Sequence, residues 1–340
     1  MRHARRSRSV NILVIGLACF GVLFLTAIVA AFTLIASSPP KMKNSRDIFG
    51  FSTLNPIATG VELPSLQRYT ARDGEELAYR IYDSSSDRIL IFLHGSSYHG
   101  AGYHELAVAI SMSGAAKIVL PNLRGHFQSG RRRGDVSYIG QLEDDLIDLI
   151  QTLRQEGLQG PITLGGHSSG GGLAIRFAGG AHEGIVPNYM LMSPVIPTSP
   201  TVREGNAGGW ASLHVQRLYG LLILNALGVR GYNDLPIIEF NKPAKFWDGT
   251  ETLSYSYRLN ASYHPRLGYA DDIRALEDKA FVLVGSDDEA VDPDALRSLF
   301  ASSAPRSKVV IMPHINHFRI FTDTTALRAI SEWLRSLPPR

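Results

Sequence analysis

A serine flanked by small residues stands at the junction of two apolar segments. Residues 166–170 read Gly-His-Ser-Ser-Gly, and they lie between the apolar run 162–164 and residues 171–178, which can continue as a helix. The pattern Gly-x-Ser-x-Gly between a strand and a helix is typical of a nucleophile elbow, a sharp turn that lifts a serine hydroxyl clear of a sheet. The glycines let strand and helix approach each other closely. Because so short a pattern also arises by chance, Ser168 is a candidate nucleophile that needs partners elsewhere in the chain.

Candidate partners for Ser168 follow two later apolar runs. A serine hydroxyl becomes a good nucleophile when an imidazole accepts its proton and a carboxylate fixes the tautomer of that imidazole. Three acids follow the run 281–284, namely Asp287, Asp288 and Asp292. Two histidines follow the run 308–312, namely His314 and His317. Each acid is also a reasonable turn residue or helix cap, so the residues alone leave both choices open.

Short apolar runs alternate with helical patterns along the body of the chain. The runs suited to buried strands are 88–93, 115–120, 162–164, 189–192, 281–284 and 308–312. Residues 138–154 carry leucine and isoleucine at helical spacing. Before them, Asp73 and Gly74 separate two strand-like segments and indicate a β-hairpin. The pattern predicts an α/β fold with a mostly parallel, doubly wound sheet and an antiparallel start.

Residues 194–272 break this alternation. They separate two predicted strands by more than a crossover needs, and long insertions of this kind are usually functional. The segment contains Trp210 and an apolar helical run at 213–224. We interpret residues 194–272 as an inserted helical cap, or lid, whose apolar helix either forms the core of the cap or lines a groove for an acyl chain.

The amino-terminal part predicts a membrane anchor. Residues 12–36 form a stretch of 25 without a charged side chain, and a helix of that length exceeds the roughly 30 Å hydrocarbon core of a bilayer. An uncleaved anchor is favoured over a removed signal peptide because the small-residue site at 36–38 runs into two prolines. The basic segment 1–11 favours a cytoplasmic amino terminus and an extracytoplasmic body, although basic residues beyond the anchor weaken that orientation. Residues 37–66, rich in Pro, Ser and Asn, predict a tether.

Composition excludes several classes of function. The chain has 340 residues, 44% of them hydrophobic and 19% charged, which is typical of one folded domain with additions. The net charge is only +3, so no nucleic-acid partner is expected. The single cysteine, Cys19, lies in the predicted anchor, which excludes an intrachain disulfide and a cysteine metal cluster. His94, His99 and His104 lie in a loop rich in Gly and Tyr, a poor metal site, and we expect neither a metal nor a cofactor.

Motifs in a fixed order carry a resemblance to a known family. They are Phe-Leu-His-Gly at 92–95, Asn-Leu-Arg-Gly-His at 122–126, the serine pentapeptide at 166–170, Gly-Ser-Asp-Asp at 285–288 and His-Ile-Asn-His-Phe at 314–318. The chain resembles the α/β-hydrolase superfamily, most closely its monoacylglycerol-lipase and lysophospholipase-like branch, which is related to S33-type serine aminopeptidases. The resemblance covers about 67–337. It implies a hydrolase core built from 67–193 and 273–340, with the insertion where that branch places its lid.

The resemblance also selects among the candidate residues. In this superfamily the nucleophile, the acid and the base follow one another along the chain, and Ser168, Asp288 and His317 satisfy that order. The Gly-x-x-Asp spacing of the family selects Asp288, and its final His-aromatic step selects His317. Asp292 is then expected to cap the next helix, and His314 to be a loop residue.

The resemblance further implies where charge on the substrate is stabilised. Preorganised backbone N–H groups stabilise an oxyanion that develops in the transition state. We expect one donor to be the amide of Ser169, directly after the nucleophile, and the other to be the amide of Ser96, after His94 and Gly95. The loop lacks the His-Gly-Gly-Gly run of some esterases, which fits the lipase-like branch. Arg124 is expected to brace the loop beneath the site.

These features together predict a membrane-anchored serine hydrolase. The expected substrate is a carboxylic ester with an acyl chain, such as a lysophospholipid or a monoacylglycerol, and the reaction proceeds through an acyl-enzyme. The alternative is a serine aminopeptidase of the same fold, in which cap carboxylates hold the amino terminus of a substrate. Three glutamates are available for that role, namely Glu204, Glu239 and Glu251. A third hypothesis is a binding protein without catalysis.

Overall fold

The computed structural model describes residues 2–37, 47–51, 60–204 and 209–338. The α-helices are α1 (Arg2–Ala36), α2 (His104–Met112), α3 (Gln141–Gln155), α4 (Ser169–Ala178), α5 (Val215–Ala226), α6 (Tyr257–Tyr263), α7 (Tyr269–Arg274), α8 (Pro293–Ser303) and α9 (Thr324–Ser336). The strands are β1 (Gln67–Thr70), β2 (Glu76–Tyr82), β3 (Ile89–Leu93), β4 (Lys117–Asn122), β5 (Ile162–His167), β6 (Asn188–Met192), β7 (Ala211–Leu213), β8 (Pro236–Phe240), β9 (Ser254–Ser256), β10 (Ala280–Gly285) and β11 (Lys308–Met312). Short 3₁₀ helices lie at Gly100–Tyr103, Ala244–Phe246 and Arg319–Phe321.

An eight-stranded sheet lies at the centre of the described part of the chain, in the order β1-β2-β4-β3-β5-β6-β10-β11. β2 pairs antiparallel with β1 and β4, and the other neighbours are parallel. Every residue of β3, β5 and β10 is buried, as expected of parallel strands that are covered on both faces. On the helical layers, α2 contacts α9, whereas α4 contacts α6 and α7.

The predicted fold class is confirmed by this topology. Each of the six runs predicted as core strands forms a strand, and Asp73 and Gly74 turn the chain between β1 and β2. The predicted helix at 138–154 starts later, at Gln141, because Gly140 has a φ of 103° and does not belong to the helix. The sheet is therefore mostly parallel with an antiparallel start.

The insertion at 194–272 contains a second, smaller sheet besides helices. β7, β8 and β9 form a three-stranded antiparallel sheet. The helix predicted at 213–224 forms as α5 but starts later, at Val215, because Leu213 belongs to β7. The sheet was not anticipated, since β7 and β9 have three residues each, too few for a periodic pattern. The boundaries of the cap remain a prediction.

Helix α1 packs against the insertion near its carboxyl end, and most of its described side chains before that contact are exposed. Residues Gly16–Ala36 are long and apolar enough to cross a membrane, which agrees with the end of the segment predicted at 12–36. Most of these side chains are exposed, for example Leu23 at 69%. α1 packs along α5, where a Cβ on Gly220 would lie 2.6 Å from the carbonyl oxygen of Ala31, and Phe32 makes an edge contact with Tyr232.

Part of the predicted tether is packed against the folded body. Of residues 37–66, the segments 38–46 and 52–59 lie outside the described residues. Between them, residues 47–51 are described, and the side chains of Phe49 and Phe51 are buried. This segment reaches the candidate active site.

Candidate active site

Parallel strands bring the sequence-predicted site residues to one edge of the sheet. Ser96 follows β3, Ser168 follows β5, Asp288 follows β10 and His317 follows β11. The carboxyl ends of parallel strands lie at the same edge, which is where open α/β sheets place their ligands. These residues are far apart in sequence, and the order of the strands brings them close together in space.

Ser168 occupies a strained turn between β5 and α4. Its backbone has φ 56° and ψ −122°, a conformation that residues other than glycine rarely adopt. The turn is tight on both sides. A Cβ on Gly166 would lie 2.4 Å from the Gly170 carbonyl, and one on Gly170 would lie 2.3 Å from the carbonyl oxygen of Leu93. Glycine is therefore required at both positions for strand, turn and helix to pack.

Ser168, His317 and Asp288 form a continuous hydrogen-bonded relay. Ser168 Oγ lies 3.1 Å from Nε2 of His317, and Nδ1 of His317 lies 2.9 Å and 3.0 Å from the two oxygens of Asp288. Asp288 and His317 are each only 1% exposed, and Ser168 is 7% exposed. Because the carboxylate accepts the proton on Nδ1, Nε2 is free to accept the serine proton. This arrangement can activate a serine for attack on a carbonyl.

The surroundings of Asp288 keep its carboxylate ionised. Burial acts to raise its pKa, but the facing His317 and hydrogen bonds to the carboxylate outweigh burial, so the pKa lies below its usual value. Two of these bonds come from the backbone N–H groups of Ala290 and Val291, at 2.9 Å and 2.7 Å. The backbone N–H of His317 donates to the neighbouring Glu289 at 3.0 Å. The acid and the base are thus fixed through backbone as well as side-chain contacts.

The other candidates for acid and base lie apart from the relay. Asp287 is exposed and accepts a hydrogen bond from the Ser286 hydroxyl. Asp292 accepts from the amides of Asp294 and Ala295 at the start of α8, which confirms it as a helix cap. His314 is an exposed loop residue with a φ of 56°.

A second hydrogen-bonded chain behind the relay was not predicted from the sequence. Nε2 of His167 donates to the carbonyl oxygen of His317 at 2.9 Å, so Nδ1 is left to accept from the Tyr103 hydroxyl at 2.9 Å. The Tyr103 oxygen accepts the N–H of Gly95, also at 2.9 Å. Burial, and then the neighbouring His317, lower the pKa of His167 well below its usual value, so this imidazole is neutral.

This chain joins three loops that surround the nucleophile. His167 belongs to the elbow, Gly95 to the loop after β3, and His317 to the loop after β11. The pentapeptide did indicate that His167 needs hydrogen-bond partners, because a histidine next to the nucleophile is a polar group at the end of a buried strand. Nothing in the sequence marked Tyr103, because its role depends on where the loop after β3 folds back.

The two residues predicted to supply the oxyanion donors line the same cavity as the nucleophile. Ser96 and Ser169 both line the cavity that contains Ser168 and His317. Ser169 is the first residue of α4, so its N–H has no partner within the helix. The side chains of both residues are held by the insertion: Trp210 donates to the Ser96 hydroxyl oxygen at 3.0 Å, and the Ser169 hydroxyl lies 3.1 Å from Nε2 of His264.

Arg124 connects the loop after β4 to α3 and to the turn between β1 and β2. It is buried and donates to both oxygens of Asp145 at 2.8 Å, and it also pairs with Asp73 in the β1–β2 turn. His94 accepts the N–H of Leu123 at its Nε2. Burial, followed by the neighbouring His126, lowers the pKa of His94 well below its usual value.

The cavity above Ser168 has a volume of about 590 Å³ and is mainly apolar. Its apolar wall comes largely from the insertion, through Leu213, Leu218, Leu222, Ile237, Ile238 and Phe240. Among the described residues that line it there is no aspartate or glutamate, and Arg176 and Arg266 are its cationic side chains. Such a cavity suits an apolar group.

The glutamates considered for an aminopeptidase lie elsewhere. Glu204 is exposed, and Glu239 lies 3.2 Å from Nε2 of His214. Glu251 is buried in an ion pair with Lys242 at 2.6 Å. In the described structure none of the three lines the cavity around Ser168.

Comparison with solved structures identifies the fold. A soluble variant of the monoglyceride lipase from Saccharomyces cerevisiae, solved with a substrate analogue, is 16% identical, with a TM-score of 0.62 over 82% of this chain and 97% of the lipase. The monoacylglycerol lipase of Paleococcus ferrophilus is 21% identical, with a TM-score of 0.56 over 76% of this chain and 98% of that lipase. This chain has the α/β-hydrolase fold. At these identities the likeness establishes the architecture.

Sequence comparisons point to the same group of proteins over part of this α/β-hydrolase. A family model described as serine aminopeptidase, S33, matches residues 84–238, a little under half of the chain. Protein phosphatase methylesterase 1 of Bos taurus is 27% identical over 113 residues, which span 33% of this chain and 29% of the methylesterase. The matched family model describes a serine aminopeptidase and the two solved structures are lipases, which supports a hydrolase enzyme.

Proposed function

We propose that the protein is a membrane-anchored serine hydrolase that cleaves carboxylic esters with an acyl chain. The observation that carries this proposal is the relay Ser168–His317–Asp288, with bonds of 3.1 Å and 2.9 Å, at the base of an apolar cavity. Such a relay is the arrangement that acyl transfer to a serine requires. The apolar wall above it supplies a place for the acyl chain.

The reaction proceeds in two steps at Ser168. The hydroxyl oxygen attacks the ester carbonyl carbon while its proton passes to Nε2 of His317, and Asp288 stabilises the imidazolium that forms. The tetrahedral intermediate then collapses, and His317 returns the proton to the departing alcohol. In the second step His317 takes a proton from a water molecule, whose oxygen attacks the acyl carbon. The bond between that carbon and Ser168 Oγ then breaks, His317 returns the proton to Oγ, and the acid is released.

Two backbone N–H groups stabilise the tetrahedral oxyanion in this mechanism. They belong to Ser169, at the amino end of α4, and to Ser96, in the loop after β3. Donors of this kind act most strongly in a site that excludes water, and one such donor is typically worth about 10²–10³ in kcat. The bond from Trp210 to the Ser96 hydroxyl supports the position of that loop.

The cavity and the structural relatives support this substrate class. The lining is apolar, and the solved structures of similar fold include monoglyceride and monoacylglycerol lipases. We therefore place a monoacylglycerol or a lysophospholipid first among substrates for this chain.

A serine aminopeptidase is the second candidate, because the matched family model carries that description. An amino-terminal ammonium group needs a carboxylate partner, and the described lining of the cavity provides none. Glu204, Glu239 and Glu251 would have to move to supply one. The ester hydrolase therefore fits better, and a binding protein without catalysis leaves the relay unexplained.

Helix α1 is proposed to be the membrane anchor. Its apolar side chains are exposed over residues 16–36, apart from the part that packs on α5, and an exposed apolar surface of that length is suited to lipid. The basic residues before it favour a cytoplasmic amino terminus, with the hydrolase on the extracytoplasmic side.

An ester and amide panel tests this proposal. The full chain in detergent is assayed with nitrophenyl esters of increasing acyl length and with an aminoacyl nitroanilide. We expect hydrolysis of the esters, with kcat/KM rising from acetyl to medium chains, and a loss of roughly 10³-fold or more in Ser168→Ala. Faster cleavage of the anilide than of every ester would favour the aminopeptidase. Absence of turnover with both the esters and the anilide would favour a binding protein without catalysis.

A further inference from the structure

A segment between the anchor helix and the hydrolase core lies inside the candidate active site. Residues 47–51 precede the sheet in sequence, yet Phe49 is 2% exposed and Phe51 is 8% exposed. Both belong to the hydrophobic core of the folded body. A tether that only spaced a membrane helix from an enzyme would have no reason to bury two aromatic rings.

Phe49 contacts the candidate base directly. Its ring is stacked on the imidazole of His317, with centroids 5.0 Å apart and an angle of 27° between the planes. It also packs on Trp210 at 5.1 Å and on Phe318 at 4.9 Å. Because Phe49 lines the cavity together with Ser168, its ring forms a wall beside the reacting atoms.

Phe51 holds the segment in this position. Its ring packs on Trp210 and Phe246 from the insertion, at 5.8 Å and 5.6 Å, and makes an edge contact with Phe318 of the core at 5.0 Å. Its N–H donates to the Asp47 carboxylate at 2.6 Å, which closes the segment into a turn. Residues 47–51 are therefore packed between the core and the insertion.

We propose that Phe49 is a positioning and specificity-determining residue that the segment after the anchor helix contributes to the active site. This inference rests on the proposed ester hydrolase. Stacking restricts rotation of the His317 ring, which keeps Nε2 directed at Ser168. The same ring occupies space beside the ester carbonyl, so it excludes acyl groups that branch next to that carbonyl while it admits linear ones.

The test compares two esters on each variant of the full chain. The readout is the ratio of kcat/KM for a nitrophenyl pivalate, which branches next to the carbonyl, to kcat/KM for nitrophenyl butyrate. This ratio does not depend on how much of a preparation is folded, so a purely structural defect leaves it unchanged. Phe49→Ala is expected to raise the ratio about tenfold or more, in the range typical of a changed apolar pocket. Its kcat on the linear ester is expected to fall, because His317 is less well oriented.

Two further variants of the same segment sharpen the comparison. Phe49→Tyr retains a ring of nearly the same shape and is expected to keep the ratio within about twofold of the wild type. Ile48→Ala removes an adjacent side chain that does not line the cavity, and it is expected to leave the ratio unchanged. A wild-type ratio in Phe49→Ala, or an equal rise in Ile48→Ala, would overturn the inference.

Ser168→Ala separates this inference from the proposed function. Loss of both ester activities in Ser168→Ala together with an unchanged ratio in Phe49→Ala would overturn the role of Phe49 alone. Turnover of both esters by Ser168→Ala at the wild-type rate would overturn the proposed hydrolase, and the inference with it.

Discussion

At the scale of single residues, the site depends on side chains that hold one another in a fixed orientation. Ser168, His317 and Asp288 form the relay, and His167 with Tyr103 forms a second chain behind it. The second chain is buried, so each of its polar atoms needs a partner. It ties the loop of the base to the loop that carries the predicted oxyanion donor.

Tyr103→Phe tests that connection. The change removes one oxygen and leaves the N–H of Gly95 and Nδ1 of His167 without this partner, which is expected to cost about 1–3 kcal/mol of stability. We also expect kcat on a nitrophenyl ester to fall about tenfold, since displaced catalytic groups lose rate steeply.

Tyr69→Phe is a matched control for Tyr103→Phe. The Tyr69 hydroxyl is buried and donates to the carbonyl oxygen of Asp145 at 3.1 Å, away from the relay. Its loss is expected to lower the unfolding midpoint while kcat stays near the wild-type value. Equal kcat values for the two variants would show that Tyr103 contributes stability alone.

The sequence predicted the members of the relay but not the residues that support them. Ser168, Asp288 and His317 were found because each stands in a local motif after a strand, and the structure brings those three together. Tyr103 and Phe49 have no local signal, since their roles arise only when distant loops meet. The contacts of these two residues are apparent only in the tertiary structure.

At the scale of elements, strands were predicted more successfully than their surroundings. The core strands are continuous apolar runs bounded by polar residues, so they were recognisable, and only their ends shifted by one to three residues. The sheet of the insertion was missed because its strands are short and half-buried. The burial of residues 47–51 was missed because a Pro- and Ser-rich surrounding favours a loop.

The contact between α1 and α5 depends on a glycine. A side chain at Gly220 would meet the backbone oxygen of Ala31 at 2.6 Å and the Ile35 side chain at 2.7 Å. Backbone cannot move aside without separating the two helices. Gly220 therefore lies at a close contact between α1 and the insertion.

Gly220→Leu is expected to weaken this packing. Overpacking of a close contact typically costs about 1–3 kcal/mol, which should lower the unfolding midpoint of the detergent-solubilised chain by several degrees. Gly231→Leu serves as the control, because a Cβ at Gly231 meets no atom within 4 Å. Equal unfolding midpoints in the two variants would contradict the docking of α1 on α5.

At the scale of the whole molecule, the region before the core contacts the candidate active site and its surroundings at two places. α1 packs on α5, which belongs to the insertion that walls the cavity, and residues 47–51 supply Phe49 to the site. We infer that α1 and residues 47–51 belong to the structure that surrounds the candidate active site. A membrane-embedded α1 would hold the apolar cavity close to the lipid that contains its proposed substrates.

Fluorophosphonate labelling of the full chain in membranes tests whether Ser168 is an activated nucleophile. The labelled residue is identified by peptide mass spectrometry. We expect the wild type to be modified at Ser168, Ser168→Ala to be unlabelled, and Ser169→Ala to be labelled still, because it keeps its backbone N–H. Equal labelling of the wild type and Ser168→Ala, or no labelling of a folded wild type, would contradict this account.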